Sequence, residues 1–140
     1  MRLSQEWLQV KSEHRHQVID LTHRVGEFVR ASEVRRGIVN VFVKHTACAL
    51  VVGNRRERVT EETLLLLEDI FNESAIRRTS LHGRRDPKAM WSYVQHVLMG
   101  SSIAVPVADG ALDLGEWQAL YLVELAGPAT REVRLTLVGD

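Results

Sequence analysis

Cysteine is nearly absent. Cys48 is the only one among 140 residues, so no intramolecular disulfide can form, and a lone thiol fits a reducing cytoplasm. Surplus charge is absent too: Lys+Arg and Asp+Glu each total 18, for a formal net charge of zero. A general nucleic-acid binder or a binder of anionic membranes would carry an excess of base. No nucleic acid and no membrane is therefore expected as a partner. Long hydrophobic runs are missing as well. Nothing approaches the roughly 18 apolar residues of a membrane span, and the opening MRLSQEWLQVKSEH lacks the apolar stretch of a signal peptide. A cytoplasmic location is the expectation. Repeats, linkers and low-complexity segments are not found, so residues 1–140 read as a single domain, long enough to bury a core without staples. Zero net charge also permits self-association.

What is present alternates between strand and helix signals. WLQVKS and HQVIDL read as two short strands around the polar turn Glu13–Arg15. Thr22 to Val34 reads as a short helix, with Val25, Phe28 and Val29 at helical spacing. Gly37 opens a long β segment in which Val39, Val41, Val43, His45 and Ala47 share one face, with Ile38, Phe42 and Leu50 on the other. Gly53-Asn54 ends it as a turn. Thr60-Glu61-Glu62 marks a helix start, a capping hydroxyl followed by acids at the positive dipole end. That helix carries Leu64 to Leu67, Ile70 and Phe71. Four consecutive leucines cover more than one stripe, so part of them must meet a second layer or another subunit.

Asp86-Pro87 begins a third helix with Met90, Trp91, Val94, Val97 and Leu98 as its apolar face, closed by Gly100-Ser101. The remainder reads as β: IAVPV, a turn at Asp109-Gly110, LGEWQALYLVEL, a turn at Gly127-Pro128, and REVRLTLV. In the long strand Gln118, Leu120, Leu122 and Glu124 share one face; Trp117, Ala119, Tyr121, Val123 and Leu125 share the other. Both faces are largely apolar, so neither simply faces water. Strands in runs predict a compact α+β domain of largely antiparallel sheet with about three helices.

Candidate chemistry centres on histidine. His14, His16 and His23 lie among polar residues near loops and read as solvated. His45 interrupts the apolar run VFVKHTACALVVGN, where a buried imidazole must regain hydration through hydrogen bonds or a metal. It is either a core histidine satisfied by the backbone or a site residue. His82 lies in the basic loop LHGRRD, and His96 lies on the third helix, away from its apolar face. His45, His82 and His96 together offer three imidazoles to a zinc-like ion with an open fourth position, although no HExxH or CxxC spacing is present. Arg77, Arg78, Arg84, Arg85 and Lys88 cluster beside the helix start at Asp86, an arrangement suited to phosphate or carboxylate; the alternative is a solvated charged loop. Cys48 falls on the strand face opposite His45, against a Cys–His nucleophile pair. No GxSxG, P-loop or Rossmann fingerprint occurs.

HTACAL, LMGSSIAVPVADGALDLGEWQALYLVE and TREVRLTLVGD resemble the YjbQ family, also called secondary thiamine-phosphate synthases, over essentially the whole chain. DGALDLGEWQ follows the family's DG-x-L-x-LG-x-WQ pattern at its defining positions. His45-Thr46 matches the family's HT start, His82 a loop histidine, and Glu124 a family glutamate. The resemblance implies a homotrimer of compact α+β subunits with a polar site near subunit boundaries. It implies coupling of a pyrimidine pyrophosphate to a thiazole phosphate, with a divalent metal (Mg or Zn) and basic residues stabilising the leaving pyrophosphate. In that site His45, His82 and Gln118 are the expected catalytic groups, and Thr46, Arg84, Arg85 and Glu124 hold the phosphorylated or anionic small molecule. His45, His82 and His96 are the expected metal ligands.

The chain departs from the pattern at Ala47, where the family has serine, and at Gly53-Asn54, where it has an Asn-Glu pair. Glu57 stands for a family aspartate, and Tyr93 for the family's helix histidine, with His96 about one turn on. This depleted polar set keeps open an alternative: a homo-oligomeric module that binds a small anion or metal without turnover. A purely structural role, with His45 and Gln118 tying subunits together, is the third reading.

Overall fold

The computed structural model describes residues 1–70 and 86–140. Among these residues eight strands and three helices follow one another as β1 (Arg2–Lys11), β2 (Gln17–Asp20), α1 (Thr22–Ser32), β3 (Arg36–Val43), β4 (Cys48–Asn54), α2 (Val59–Ile70), α3 (Pro87–Met99), β5 (Ser102–Ala108), β6 (Ala111–Leu112), β7 (Gln118–Glu124) and β8 (Thr130–Gly139). They build two antiparallel sheets, a five-stranded one ordered β1-β8-β3-β5-β6 and a three-stranded one ordered β2-β7-β4. The α+β architecture of antiparallel sheet, with three helices among the described residues, is the one the sequence predicts.

The main core lies between the sheets. Alternation on β3, β5 and β8 sends Val39, Val41, Val43, Val105, Leu135 and Leu137 inward, and the register sets Leu135 beside Val41 and Leu137 beside Val39. Leu50, Leu120 and Leu122 meet them from the smaller sheet, and Val25, Phe28 and Val29 of α1 close one side. Each such side chain contributes about 1.5–3 kcal/mol on burial. The opposite face of the small sheet presents Ala49 and Val123, which with Leu125 pack against Leu64 of α2 and Met99 of α3. This second layer explains why β7 is apolar on both faces, with every residue from Ala119 to Glu124 buried.

The expected single β segment after Gly37 is instead two strands in different sheets. It breaks at Lys44–Ala47, so His45 and Ala47 leave the face they would share with Val43. Period-two alternation continues through HTAC, which is why the break is silent in the sequence. Ile38 and Phe42 lie on the outer face of the large sheet, 57% and 41% exposed, whereas Leu50 is core. Gly53-Asn54 are the last residues of β4 rather than a turn. A methyl at Gly53 would stand 2.4 Å from the Thr60 hydroxyl and 3.1 Å from the Tyr121 ring, so an asparagine there would collide with β7. Thr60 lies inside the first turn of α2, and its hydroxyl donates to the Asn54 carbonyl at 3.1 Å instead of capping.

The third helix begins at Pro87 as expected but is rotated from its predicted face. Ser92 and Gln95 are its buried residues among those described, at 1% and 3% exposure, while Val97 and Leu98 are 79% and 58% exposed. Ser92, Gln95 and Met99 are spaced i, i+3, i+7 and so share one stripe. The Ser92 hydroxyl donates to the Leu125 carbonyl at 2.9 Å, which seats that stripe on the small sheet. Beyond the helix, Gly100 and Ser101 stitch the two sheets together. Their carbonyls accept from Leu50 N–H at 3.0 Å and Val43 N–H at 2.9 Å. The Asp109-Gly110 turn forms as expected, with φ of 51° and 79°, the left-handed pair that a two-residue hairpin demands.

Cys48 is fully buried, and burial pushes its thiol up to about 12 against the opposing pull of the Arg131 charge. Only the thiolate is an effective nucleophile. A chromogenic disulfide reagent should therefore label the native chain no faster than it unfolds, and label it completely in denaturant. Prompt labelling of the folded chain would contradict this packing.

Candidate functional site

Two polar places stand out, a closed charge centre at the junction of the sheets and an open cavity beside it. The closed centre is built on Glu124, the last residue of β7, which has no solvent exposure. Arg131, at the start of β8, grips it with two parallel bonds, Nε to Oε1 at 2.8 Å and Nη2 to Oε2 at 2.7 Å. The Ser12 hydroxyl donates to Oε1 at 2.7 Å, and the Leu125 and Ala126 N–H groups donate to Oε2 at 3.0 and 3.2 Å. Burial alone would push this carboxyl up, but the Arg131 pair, Ser12 and the Ala126 amide together hold it below its ordinary value. Gly127 lets the chain pass: a methyl there would lie 2.3 Å from the His14 carbonyl oxygen and 2.7 Å from the Ser12 hydroxyl. The expected substrate contact Glu124 thus has its carboxylate engaged within the protein.

His45 sits in the connection between β3 and β4, half-buried, and its Nε2 accepts the Glu132 N–H at 3.1 Å. Neutral imidazole then carries its proton on Nδ1. Where β3 ends and the chain leaves for the other sheet, the imidazole takes over one backbone donor of β8. Thr46 beside it is exposed. His96, expected to be exposed, is half-buried with Nδ1 2.5 Å from the Cys48 carbonyl. A carbonyl only accepts, so Nδ1 bears the proton and Nε2 keeps its lone pair. Tyr93 is 40% exposed.

Gln118 closes the LGEWQ turn, its Oε1 accepting the Gly115 N–H at 2.8 Å. Trp117 in that turn is flanked by the Arg55 and Arg56 guanidiniums at 4.9 and 4.2 Å from its ring centre. Arg55 also donates from its side chain to the Glu116 carbonyl. His82, Arg84 and Arg85 lie outside the described residues, with Phe71, Arg77 and Arg78; the side chains of Ile70 and Lys88 do too. Among the described residues no group of three or more His, Cys, Asp or Glu is placed to hold a metal ion. Of the described members of the expected trio, His45 spends its Nε2 lone pair on a backbone amide and only His96 keeps one free, too few donors for a metal centre.

The cavity, of about 460 Å³, opens between the small sheet and the helix pair. Val18, Val123 and Leu125 form its floor, and Leu64 and Leu65 of α2 its apolar wall. Glu61 and Glu68 flank those leucines at i−3 and i+3, which puts all four on one helical face. His16, Gln17 and Gln95 add polar groups. Gln95 Oε1 is the one buried side-chain polar atom without a partner among the described residues. Neither His45, His96 nor Gln118 is among the described lining; Glu124 is. Sequence reasoning missed this cavity. The spacing of Glu61, Leu64, Leu65 and Glu68 is legible along the chain, but nothing local marks His16 or Gln95.

Two antiparallel sheets, with a helix pair packed on the smaller one beside an open cavity, define an α+β domain. The profile of the family described as "UPF0047 protein YjbQ-like" matches residues 6–140. The chain belongs to that family. It is 32% identical to a UPF0047 protein of Methanothermobacter thermautotrophicus over 99% of this chain and 94% of that protein. A UPF0047 protein of Archaeoglobus fulgidus is 34% identical over 90% and 94%. Among solved structures, a YbjQ-like protein of unknown function from Sulfolobus solfataricus superposes with a TM-score of 0.87 at 26% identity, covering 99% of each chain.

Removing one partner of a buried, hydrogen-bonded pair strands the other charge. Arg131→Met should lower unfolding free energy by about 3–5 kcal/mol, read by denaturant titration. A depressed carboxylate contributes stability that is whole above its unfolded value, about 4.3 for glutamate, and is lost as pH falls through the folded value. Acid unfolding should therefore steepen below pH 4.3, about the glutamate reference, and Glu124→Gln should flatten that limb. An unchanged limb would exclude Glu124 as its source.

Proposed function

We propose that this chain is a small-molecule-binding member of the UPF0047 family, taking its ligand in the cavity between the three-stranded sheet and the helix pair. The observation that carries the reading is the cavity itself: about 460 Å³ with apolar floor and wall and a few polar groups, the usual make-up of a ligand pocket. Coupling of a pyrimidine pyrophosphate to a thiazole phosphate is the competing reading, and it needs His45 and Gln118 at the reacting groups. Both side chains hold backbone amides instead, which supports binding over transfer. A divalent metal serves the leaving pyrophosphate in the transfer reading and is itself a candidate ligand in the binding reading.

The two readings separate in one assay. The pyrimidine pyrophosphate and thiazole phosphate are incubated with Mg²⁺ and the chain, and thiamine phosphate is measured against His45→Ala. Binding without transfer predicts no formation above the His45→Ala level. Turnover that vanishes in His45→Ala would overturn the binding reading and restore His45 as a catalytic group.

The resemblance also leads us to propose a homotrimer. Leu65, Leu66, Val97 and Leu98 on the two outer helices are each at least 58% exposed, more apolar surface than water-facing helices usually carry. Light scattering should give about three times the 15.9 kDa chain mass, and Leu66→Glu with Val97→Glu should reduce it to one. A monomeric native chain would contradict the assembly.

A further inference from the structure

We propose that the outer face of the five-stranded sheet binds single-stranded nucleic acid, stacking bases on Trp7 and Phe42 and holding the linking phosphates on Arg134 and Lys44. This surface is separate from the cavity. The two sheets and the core between them divide it from the helix pair.

The face follows from period-two alternation. Val39, Val41, Leu135 and Leu137 point into the core, and their neighbours Ile38, Phe42, Arg134 and Val138 point the other way. The register then lines up one row across three strands: Trp7 of β1 stands opposite Arg134 of β8, and Arg134 opposite Phe42 of β3. Trp7 and Phe42 are 42% and 41% exposed, two strand spacings of about 4.8 Å apart. Unpaired bases stack on such aromatic faces whatever their sequence, and a cation between two rings meets the phosphate that links two bases.

Charge on this face is of one sign. The outward positions of β1, β3, β5 and β8, all of them described, carry Lys11, Arg36 and Arg134, with Glu132 the one acid. Lys44 joins them just past the end of β3, its Nζ 5.4 Å from the centre of the Trp7 ring. The acids that bring the chain to zero net charge lie elsewhere, Glu61, Glu62, Glu68 and Asp69 on α2 among them. Net charge is a sum over the chain, so the composition argument against nucleic acid does not reach a locally basic face. Two copies packed face to face would set these cations against one another; a phosphate chain complements them. Arg134 is also held in place. Its Nη2 donates to Gln5 Oε1 at 2.8 Å, and its guanidinium stands 4.6 Å from the Trp7 ring centre. Both partners are neutral, which leaves the charge free to meet a phosphate.

The test is fluorescence anisotropy of a labelled oligouridylate of about ten nucleotides, within the usual range of site sizes, titrated with the full-length chain at several salt concentrations. Affinity should fall as salt rises, and Arg134→Gln should make the logarithmic slope shallower by about 0.7, one phosphate contact on a single strand. At fixed salt Trp7→Ala and Phe42→Ala should each weaken binding at least about fivefold, the loss of one stacked base. The same strand annealed to oligoadenylate should compete poorly, because its bases are already stacked on each other. Both aromatic positions are exposed, and circular dichroism checks that each variant is folded; either one alone keeps the stacking test open. No binding at low salt, or binding that Trp7→Ala and Phe42→Ala leave unchanged, overturns the inference. So does a lower native mass for Trp7→Glu in light scattering, which would make the face a contact between copies of this chain. The cavity reading does not depend on any of these results.

Discussion

One buried carboxylate holds this architecture in register. Glu124 ends the central strand of the small sheet, Arg131 begins the second strand of the large one, and Ser12 follows the large sheet's edge strand. All three converge within hydrogen-bond distance. That convergence anchors the turn between β7 and β8 that Gly127-Pro128 signals locally. The turn in turn needs Gly127, because any side chain there would strike the His14 carbonyl and Ser12. Such a pair is a weak source of net stability, since desolvation offsets much of the attraction. Its value is positional. A misregistered β7–β8 junction would leave a charge buried and alone, so alternative pairings of the sheets are disfavoured strongly.

The same junction decides where open space remains beside the small sheet. By closing one end of the small sheet with a fully satisfied charge centre, it leaves the outer face of β7 free for the helix pair. That face is apolar at Val123 and Leu125, and α2 and α3 cover it incompletely. The cavity is the remainder. Its polar members come from four elements distant in sequence, β2 and its neighbourhood at His16 and Gln17, α2 at Glu61 and Glu68, α3 at Gln95, and β7 at Glu124. Histidine, the residue that drew attention along the chain, does structural work elsewhere: His45 and His96 each engage a backbone group where one sheet gives way to the other.

Much of the fold is legible residue by residue. The doubly apolar β7, the leucine run of α2, the Asp86-Pro87 helix start and the Asp109-Gly110 hairpin are all local signals, set by periodicity, capping and left-handed φ. The family is legible in DGALDLGEWQ, whose glutamine and tryptophan serve a turn that Arg55 and Arg56 clamp. The errors share a cause. The strand break at Lys44–Ala47 and the rotation of α3 both depend on which surface the segment meets, and alternation or helical spacing continues unchanged through each. Hydropathy predicts the face of Val94 and Val97 as buried and so His96 as exposed; the Ser92–Leu125 bond turns the helix the other way.

The sequence by itself determined the element types, their order, the antiparallel α+β class and the family, because these follow from short-range sterics and hydrophobic period. Tertiary structure alone decided which sheet each strand joins, which polar groups are satisfied, and where a ligand-sized space remains. Those outcomes depend on close approach of residues more than a hundred positions apart, as between Ser12 and Glu124. A packed interior lets each polar group keep only the partner that geometry brings to it, and Gln95 Oε1 is the buried acceptor that, among the described residues, none of them reaches.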